Sequence, residues 1–250
     1  MSAQRPREWM VKRPLRLRRF ASLGLIASLP LFGRPASGGQ SLGAALQPEV
    51  EPAAKITMHV YRYADVSPKL LDRAERETST TFAKAGIEVG WVDCPLADWQ
   101  TRDYPACAPT LGLTDFVLNL LPEPMARRAK FADTTFGFAC VSADGGRPFL
   151  AAVFWDRVER ASRDQSIAAY QILGAAMAHE IGHLLLGSMS HSRTGLMRAN
   201  WGPPELETVA RGCLLFTLEQ CRQMRAASLA RMGQEEELGA RRMELAERVR

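Results

Sequence analysis

The sequence is poor in histidine and has neither a long hydrophobic run nor a Cys-x-x-Cys pair. Only four of its 250 residues are His. The longest apolar stretch, residues 20–32, has 13 residues, whereas about 20 are needed to cross a bilayer, so we expect no stable membrane span in the mature chain. The missing Cys-x-x-Cys spacing excludes the common structural zinc and dithiol motifs. The lack of an internal repeat excludes a solenoid.

The positive charge of the chain is confined to its first segment. The net charge is +5, but residues 1–39 hold eight Lys or Arg and one Glu, while the remainder carries 24 basic and 26 acidic residues. Nucleic-acid binding requires a basic surface on the folded part of a protein. We therefore expect no nucleic-acid partner.

Residues 1–38 have the pattern of a secretory signal peptide. The basic segment 12–19 precedes the apolar core of residues 20–32, and residues 36–38 are small enough for cleavage. This pattern predicts a secreted or periplasmic protein, with a retained N-terminal anchor as the alternative. Residues 39–54 are rich in Gly, Ala, Pro and Gln and are predicted to form a linker.

All five cysteines follow the leader, and export would allow them to form disulfides. Cys94 and Cys107 flank a loop that contains Pro and Trp, and we expect them to pair; Cys213 and Cys221 are a weaker candidate pair. Cys140 is expected to stay unpaired and buried in an apolar strand. The alternative is that all five remain free thiols.

Three of the four histidines lie in one stretch of 13 residues that begins with H-E-x-x-H. On a helix, residues i and i+4 share a face, so His179 and His183 can bind one cation. Glu180 can then reach a water held by that cation and act as its general base. His191, beyond a glycine that can end the helix, completes the three nitrogen ligands of an open catalytic zinc site.

A methionine and a tryptophan follow the third histidine, at Met197 and Trp201. With the preceding motif, this segment resembles the metzincin clan of zinc metallopeptidases, as a divergent bacterial branch. That clan carries H-E-x-x-H-x-x-G-x-x-H and then a Met-turn. Here the third His comes eight residues after the second instead of six, and the glycine four instead of three.

The resemblance implies a role for each residue of the motif. His179, His183 and His191 would bind Zn²⁺, Glu180 would be the catalytic base, and Met197 would occupy the Met-turn beneath the metal as an apolar support. His59, the remaining histidine, falls in a predicted strand and is expected to be structural.

The order of the predicted elements extends the resemblance over residues 55–201. Strands are predicted at residues 56–63, 87–92, 115–121, 136–141 and 149–155, and helices at 69–85, 166–186, 205–211 and 218–232. The resemblance implies a zincin-like α/β or α+β fold. Its parts would be a twisted mixed sheet of about five strands, an active-site helix and a helical C-terminal part.

One antiparallel strand is expected at the sheet edge above the cleft. By analogy with the clan, residues 137–141 either pair with an extended peptide or only complete the sheet. The predicted domains are a catalytic domain at residues 55–201 and a helical C-terminal segment at 202–250, whose charged end from residue 234 is a solvated helical tail.

These features together predict an exported zinc metallopeptidase. It would hydrolyse peptide bonds in a peptide or protein substrate through a zinc-activated water, with Glu180 as general base. Two alternatives remain open. Glu205 or Glu207 would replace His191 as third ligand, since zinc accepts that set equally well. Otherwise, the chain would be a catalytically inactive exported zinc-binding or scaffolding protein, although such a site does not need the base.

Overall fold

Five strands form one mixed sheet in the computed structural model, which describes residues 53–96, 104–107, 111–128, 130–140 and 149–248. The strands are β1 (Ala54–Arg62), β2 (Ile87–Cys94), β3 (Asp115–Leu121), β4 (Gly137–Cys140) and β5 (Leu150–Phe154). They lie in the order β2-β1-β3-β5-β4. All neighbours are parallel except β4, which is antiparallel to β5 at one edge. The expected mixed sheet with an antiparallel edge strand is confirmed.

Six helices surround the sheet within the described residues. They are α1 (Pro68–Ala83), α2 (Glu123–Arg128), α3 (Trp155–Gln165), α4 (Ala169–Leu186), α5 (Pro203–Ala210) and α6 (Leu218–Arg248). α1 begins where Ser67 accepts a hydrogen bond from the backbone N–H of Leu70 and Pro68 supplies the first helical φ. The pattern of apolar residues predicted the sheet and four of these helices to within a few residues, except at the start of α4 and the end of α6.

The core lies between the sheet and the packed pair α1 and α4. Alternate residues of β3, namely Phe116, Leu118 and Leu120, are fully buried, as the two-residue period of a strand requires. The two helices approach closely at Gly174, where an added Cβ would lie 2.8 Å from the carbonyl oxygen of Ala74. The hydroxyl of Thr78 donates across this contact to the carbonyl of Gly174 at 3.0 Å. These contacts hold α4 against α1.

Two helices are missing from the sequence-based prediction, and one helix begins later than predicted. The segment after β5 appeared only polar, yet it forms α3, which buries Trp155 and Val158. Ser166 ends α3 in the left-handed conformation at φ 54°, so the predicted helix from residue 166 begins at Ala169 instead. The short α2 follows Pro122 directly, where we had expected only the end of a strand.

The C-terminal helix is longer than the pattern predicted. α6 runs without a break to Arg248, so the charged tail is helical as expected, and the side chains from Glu235 onward are mostly exposed. Its first half packs against β1 and α4. Val50–Arg250 form one compact unit. No helix in the described part of the chain is long and apolar enough to cross a membrane. The predicted signal peptide and nearly all of the predicted linker lie outside the described residues.

The cysteines follow the prediction only in part. Cys94 and Cys107 form a disulfide with a Cα–Cα distance of 5.7 Å, which confirms that pair. The Cys213–Cys221 pair is wrong, because both are free thiols. Cys213 is exposed and faces the carbonyl of Arg211, whereas Cys221 packs on α6 against the core. Cys140 is unpaired as expected but exposed, since it ends β4 on the outward side of the strand.

Candidate metal centre

Helix α4 carries the first half of the predicted site into the interior. His179, Glu180 and His183 are only 7%, 5% and 1% exposed, so three polar side chains are buried within two turns of a helix that is otherwise apolar. Gly187 ends the helix in the left-handed conformation at φ 61°, as the sequence predicted. Burial of this kind is costly unless each polar group has a partner.

His191 returns to the same point after the helix has ended. Its Nε2 lies 3.3 Å from Nε2 of His183, which in turn lies 3.1 Å from Nε2 of His179. The three ligand atoms all lie within 4.8 Å of one another. The longer spacing between the second and third histidines therefore does not prevent the three nitrogens from meeting.

Two backbone carbonyls determine which nitrogen of the buried histidines is protonated. Nδ1 of His179 lies 2.7 Å from the carbonyl of Leu196, and Nδ1 of His183 lies 2.7 Å from the carbonyl of Ser188. A carbonyl only accepts, so each Nδ1 must donate its proton. In the neutral rings, both Nε2 atoms therefore present lone pairs to each other.

These facing lone pairs require a positive charge between them, and burial opposes a proton in that role. Burial is the main reason that the pKa of His179 falls to about 4; the hydrogen bond to Leu196 opposes this change, and the neighbouring imidazoles add to it. Burial also lowers the pKa of His183 and that of His191, which is less buried. Three imidazole nitrogens, two of them on rings whose second nitrogen donates to a carbonyl, fit a divalent cation such as zinc.

Glu180 lies at the junction of α4 and the edge strand. An added Cβ on Gly137 would overlap the carbonyl of Ala152 and would lie 2.8–2.9 Å from Glu180 atoms, so only glycine permits this approach of β4. Burial raises the pKa of Glu180 to about 8. The carboxyl is thus set to exchange a proton near neutral pH.

The segment after His191 forms a tight turn that places Met197 under α4. The N–H of Ser192 donates to the carbonyl of Met197 at 2.8 Å, and Gly195 has a φ of 75°. Met197 is fully buried, and its sulfur would lie only 2.7 Å from a Cβ added to Gly182. Gly182 precedes His183, so the thioether supports α4 directly beneath the cluster.

A cavity of about 220 Å³ opens beside the three histidines and Glu180. Four aromatic side chains contribute to its lining, those of Phe131, Phe136, Phe138 and Trp201. The ring of Trp201 meets His179 edge-on at 5.6 Å between centroids. Arg198, which follows Met197 directly, also lines the cavity.

A buried ion pair that the sequence did not predict holds one wall of the cavity. Arg157 of α3 is 3% exposed and donates to the carbonyls of Ala132 and Thr135, the latter at 2.8 Å. Its Nε lies 3.3 Å from Glu123 of α2. The local pattern contained no signal for this role, since most partners of Arg157 are backbone carbonyls.

The two glutamates considered as alternative third ligands have other partners. Glu205 pairs with Arg198 at 2.6 Å and accepts the N–H of Gly202 at 2.9 Å. Glu207 is exposed and pairs with Arg211 at 3.1 Å. The geometry brings His191, and neither glutamate, to the pair on α4. The role of the three histidines as zinc ligands stays a prediction.

The arrangement defines a three-histidine candidate metal centre on a mixed α/β fold. No family model matches the sequence, and no curated protein matches it. Among solved structures, it is similar to the crystal structure of archaemetzincin (amzA) from Methanopyrus kandleri, at 15% identity and a TM-score of 0.43. The match covers 71% of this chain and 98% of that chain. At these values the similarity assigns no residue role and no activity to this chain.

Proposed function

We propose that the protein is a zinc-dependent metallopeptidase with His179, His183 and His191 as its zinc ligands. The observation that carries the proposal is the convergence of three Nε2 atoms at 3.1–3.3 Å in consecutive pairs, two of them with Nδ1 committed to carbonyls. Neutral imidazoles arranged in this way repel one another unless a cation lies between them. Zinc is the divalent ion that accepts three imidazoles and keeps a fourth position open.

Zinc, when bound, lowers the pKa of a water to about 7 and polarises a carbonyl. The chain itself supplies the base. Glu180 follows the first histidine, is 5% exposed and has a pKa of about 8 in the metal-free protein. We assign to its carboxylate the removal of a proton from the attacking water and the delivery of that proton to the leaving amine.

We propose that the substrate is an extended peptide or protein segment lying along β4. Among the described residues, this strand is the last of the sheet and pairs on one edge only, with β5. Gly137 and Phe138 also line the cavity next to Glu180. A peptide that adds to this edge would satisfy unpaired backbone groups and pass directly over the base.

We propose that the protein acts after export, in the periplasm or outside the cell. The support is the signal-peptide pattern of residues 1–38, together with the disulfide between Cys94 and Cys107. Disulfides persist in oxidising compartments and are rare in the reducing cytosol. Fractionation of a tagged full-length chain, with N-terminal sequencing of the mature protein, would test this step.

The decisive experiment measures zinc content and peptide hydrolysis in wild type and Glu180→Gln. We expect one zinc in each protein and a rate about 10²–10⁴-fold lower in the variant, the usual contribution of a general base. Glu207→Gln, which changes an exposed glutamate, is the matched control. Equal rates in wild type and Glu180→Gln would exclude the mechanism. Stable zinc binding without cleavage of a peptide library would favour the inactive zinc-binding alternative.

A further inference from the structure

A second histidine-containing cluster lies away from the cavity, where β1 and β2 meet the turn at residues 105–107. In the parallel pairing of these strands, His59 is opposite Val92, and Tyr61 is opposite Cys94. Residues two apart share a face of a strand, so the side chains of His59 and Cys94 come together on one side of the sheet. Cys107 reaches the same point through its disulfide with Cys94.

His59 is buried, and its hydrogen bonding is incomplete. It is 5% exposed, and its Nε2 has no hydrogen-bond partner within the described residues. Nδ1 lies 3.8 Å from the sulfur of Cys94, and Nε2 lies 3.8 Å from a carboxylate oxygen of Asp115. A buried imidazole without good partners is unfavourable. Our expectation that His59 is a satisfied structural residue does not account for this arrangement.

The distance between His59 and Cys94 is that expected between two ligands of one metal ion. Around a tetrahedral zinc, with Zn–S of about 2.3 Å and Zn–N of about 2.0 Å, ligand atoms lie roughly 3.5–4 Å apart. Nδ1 of His59 lies 3.8 Å from the sulfur of Cys94, and a nitrogen of His59 and both sulfurs lie within 4.8 Å of one another. The two sulfurs are bonded to each other and must separate on reduction before both can bind a metal. A metal-bound histidine commonly presents its other nitrogen to a carboxylate, and Asp115 lies on that side.

We propose that reduction of the Cys94–Cys107 disulfide converts this cluster into a second metal site, with His59 as the nitrogen ligand. The site would take a thiophilic divalent cation such as zinc, through one imidazole and two thiolates. The disulfide and the metal are then alternative ways to tie the turn at residues 105–107 to the sheet. This proposal does not depend on the peptidase activity.

The disulfide must be reduced before the metal can bind. A phosphine or dithiol reductant supplies two electrons and breaks the S–S bond, and two protons convert the sulfurs to thiols. The phosphine becomes a phosphine oxide with oxygen from water, or the dithiol becomes a disulfide. Binding of the divalent cation then releases the two thiol protons, because the thiolate is the ligand. The Cα atoms of Cys94 and Cys107 are 5.7 Å apart in the disulfide-bonded protein.

Cobalt(II) distinguishes this site from the three-histidine centre. Thiolate ligands produce intense ligand-to-cobalt charge-transfer absorption in the near ultraviolet, and the three-histidine centre has no thiolate. The experiment uses the full chain with the free thiols Cys140, Cys213 and Cys221 changed to Ser. The protein is reduced with a phosphine, separated from it without oxygen, and titrated with Co²⁺ beside an oxidised sample.

We expect the charge-transfer band only in the reduced protein, together with a second equivalent of bound metal. His59→Leu should weaken this binding at least about 100-fold, since loss of an outer-shell partner alone costs about 10–100-fold. His191→Ala is the matched control and should leave the band intact. Absence of the band in reduced protein, or an equal band in His59→Leu, would overturn the proposal.

A folding measurement covers the case in which the reduced chain loses its structure. Metal binding then becomes coupled to folding. With His191→Ala present in both proteins, to weaken zinc binding at the three-histidine centre, circular dichroism should show that Zn²⁺ restores the native spectrum of the reduced protein but not that of reduced His59→Leu. If Zn²⁺ restores both proteins equally, His59 is not a ligand and the proposal is wrong.

Discussion

Two clusters of buried polar side chains in the molecule differ in how their charges are compensated. In the first, Arg157 and Glu123 carry opposite charges, and backbone carbonyls accept the remaining N–H groups of the arginine. In the second, the Nε2 atoms of three imidazoles converge at 3.1–3.3 Å in consecutive pairs. The first cluster has its charges paired within the chain, whereas the second would be completed by the cation that we propose.

The carboxyl groups of the two clusters show the same difference. Burial alone would raise the pKa of Glu123, but hydrogen bonds and charges from Arg157 and Arg127 lower it below its ordinary value. For Glu180, burial raises the pKa of the carboxyl group to about 8. One glutamate is therefore held as an anion for stability, while the other can take up a proton near neutral pH.

The largest expected effect is on stability, from breaking the compensated cluster. Arg157→Met leaves Glu123 buried beside unpaired carbonyls and should cost about 3–5 kcal/mol of unfolding free energy. Arg127→Met removes the other partner of the same glutamate, but that side chain is 75% exposed, and we expect a loss below about 1 kcal/mol. Urea unfolding of the two variants measures the difference. Equal losses would show that the buried pair has no special role.

The next effect is on the cluster that requires a cation. His191→Ala should weaken zinc binding at least about 100-fold, because a direct ligand contributes more than the outer-shell partners that cost about 10–100-fold. Glu205→Gln should leave zinc affinity unchanged, since Glu205 is paired with Arg198. Competition with a fluorescent chelator measures both values. The reverse result would establish the glutamate as third ligand and exclude His191.

The two glutamates should respond to pH in opposite directions. In metal-free protein, the raised pKa of Glu180 means that stability present below its ordinary pKa of 4.5 is lost as the pH rises toward 8. Glu180→Gln should therefore stabilise the metal-free protein at pH 7, on the order of 2 kcal/mol, and hardly at all in acid.

Glu123 provides the opposite sign because its pKa is lowered. Its contribution to stability is present above the ordinary carboxyl pKa and is lost as the pH falls through the folded-state pKa. Glu123→Gln should destabilise the protein at pH 7, and the difference from wild type should shrink in acid. Thermal unfolding across a pH series tests both variants. Parallel curves for the two variants would contradict the contrast between the clusters.

The smallest expected effect comes from the methionine beneath the metal centre. Met197→Leu keeps the volume and apolar character of the side chain, so we expect a loss below about 1.5 kcal/mol and an unchanged zinc affinity. Met197→Ala is the comparison, because it leaves a cavity under Gly182 and should cost about 2–5 kcal/mol. Scanning calorimetry measures the stability of each variant, and a zinc titration measures its zinc affinity. A large loss of zinc affinity in Met197→Leu would indicate a direct role for the sulfur.

Strict periodicity made most of the fold predictable. A short, mostly apolar run located β3 at its observed bounds, and Gly187 correctly marked the end of α4. α3 could not be recognised, because most of its residues are polar and Arg157 occupies a buried position on it. Such a position reads as surface in a sequence, and only the carbonyls of a distant segment make it interior.

The sequence by itself determined the pairing of His179 with His183, because a four-residue spacing on a helix places both side chains on one face. It also placed Glu180 next to that pair. The tertiary structure decided that His191 reaches the same point across eight residues, since left-handed Gly187 ends the helix and redirects the chain. It also decided that Gly137 brings the sheet edge against Glu180. Close contacts between distant segments depend on packing, which no local pattern contains.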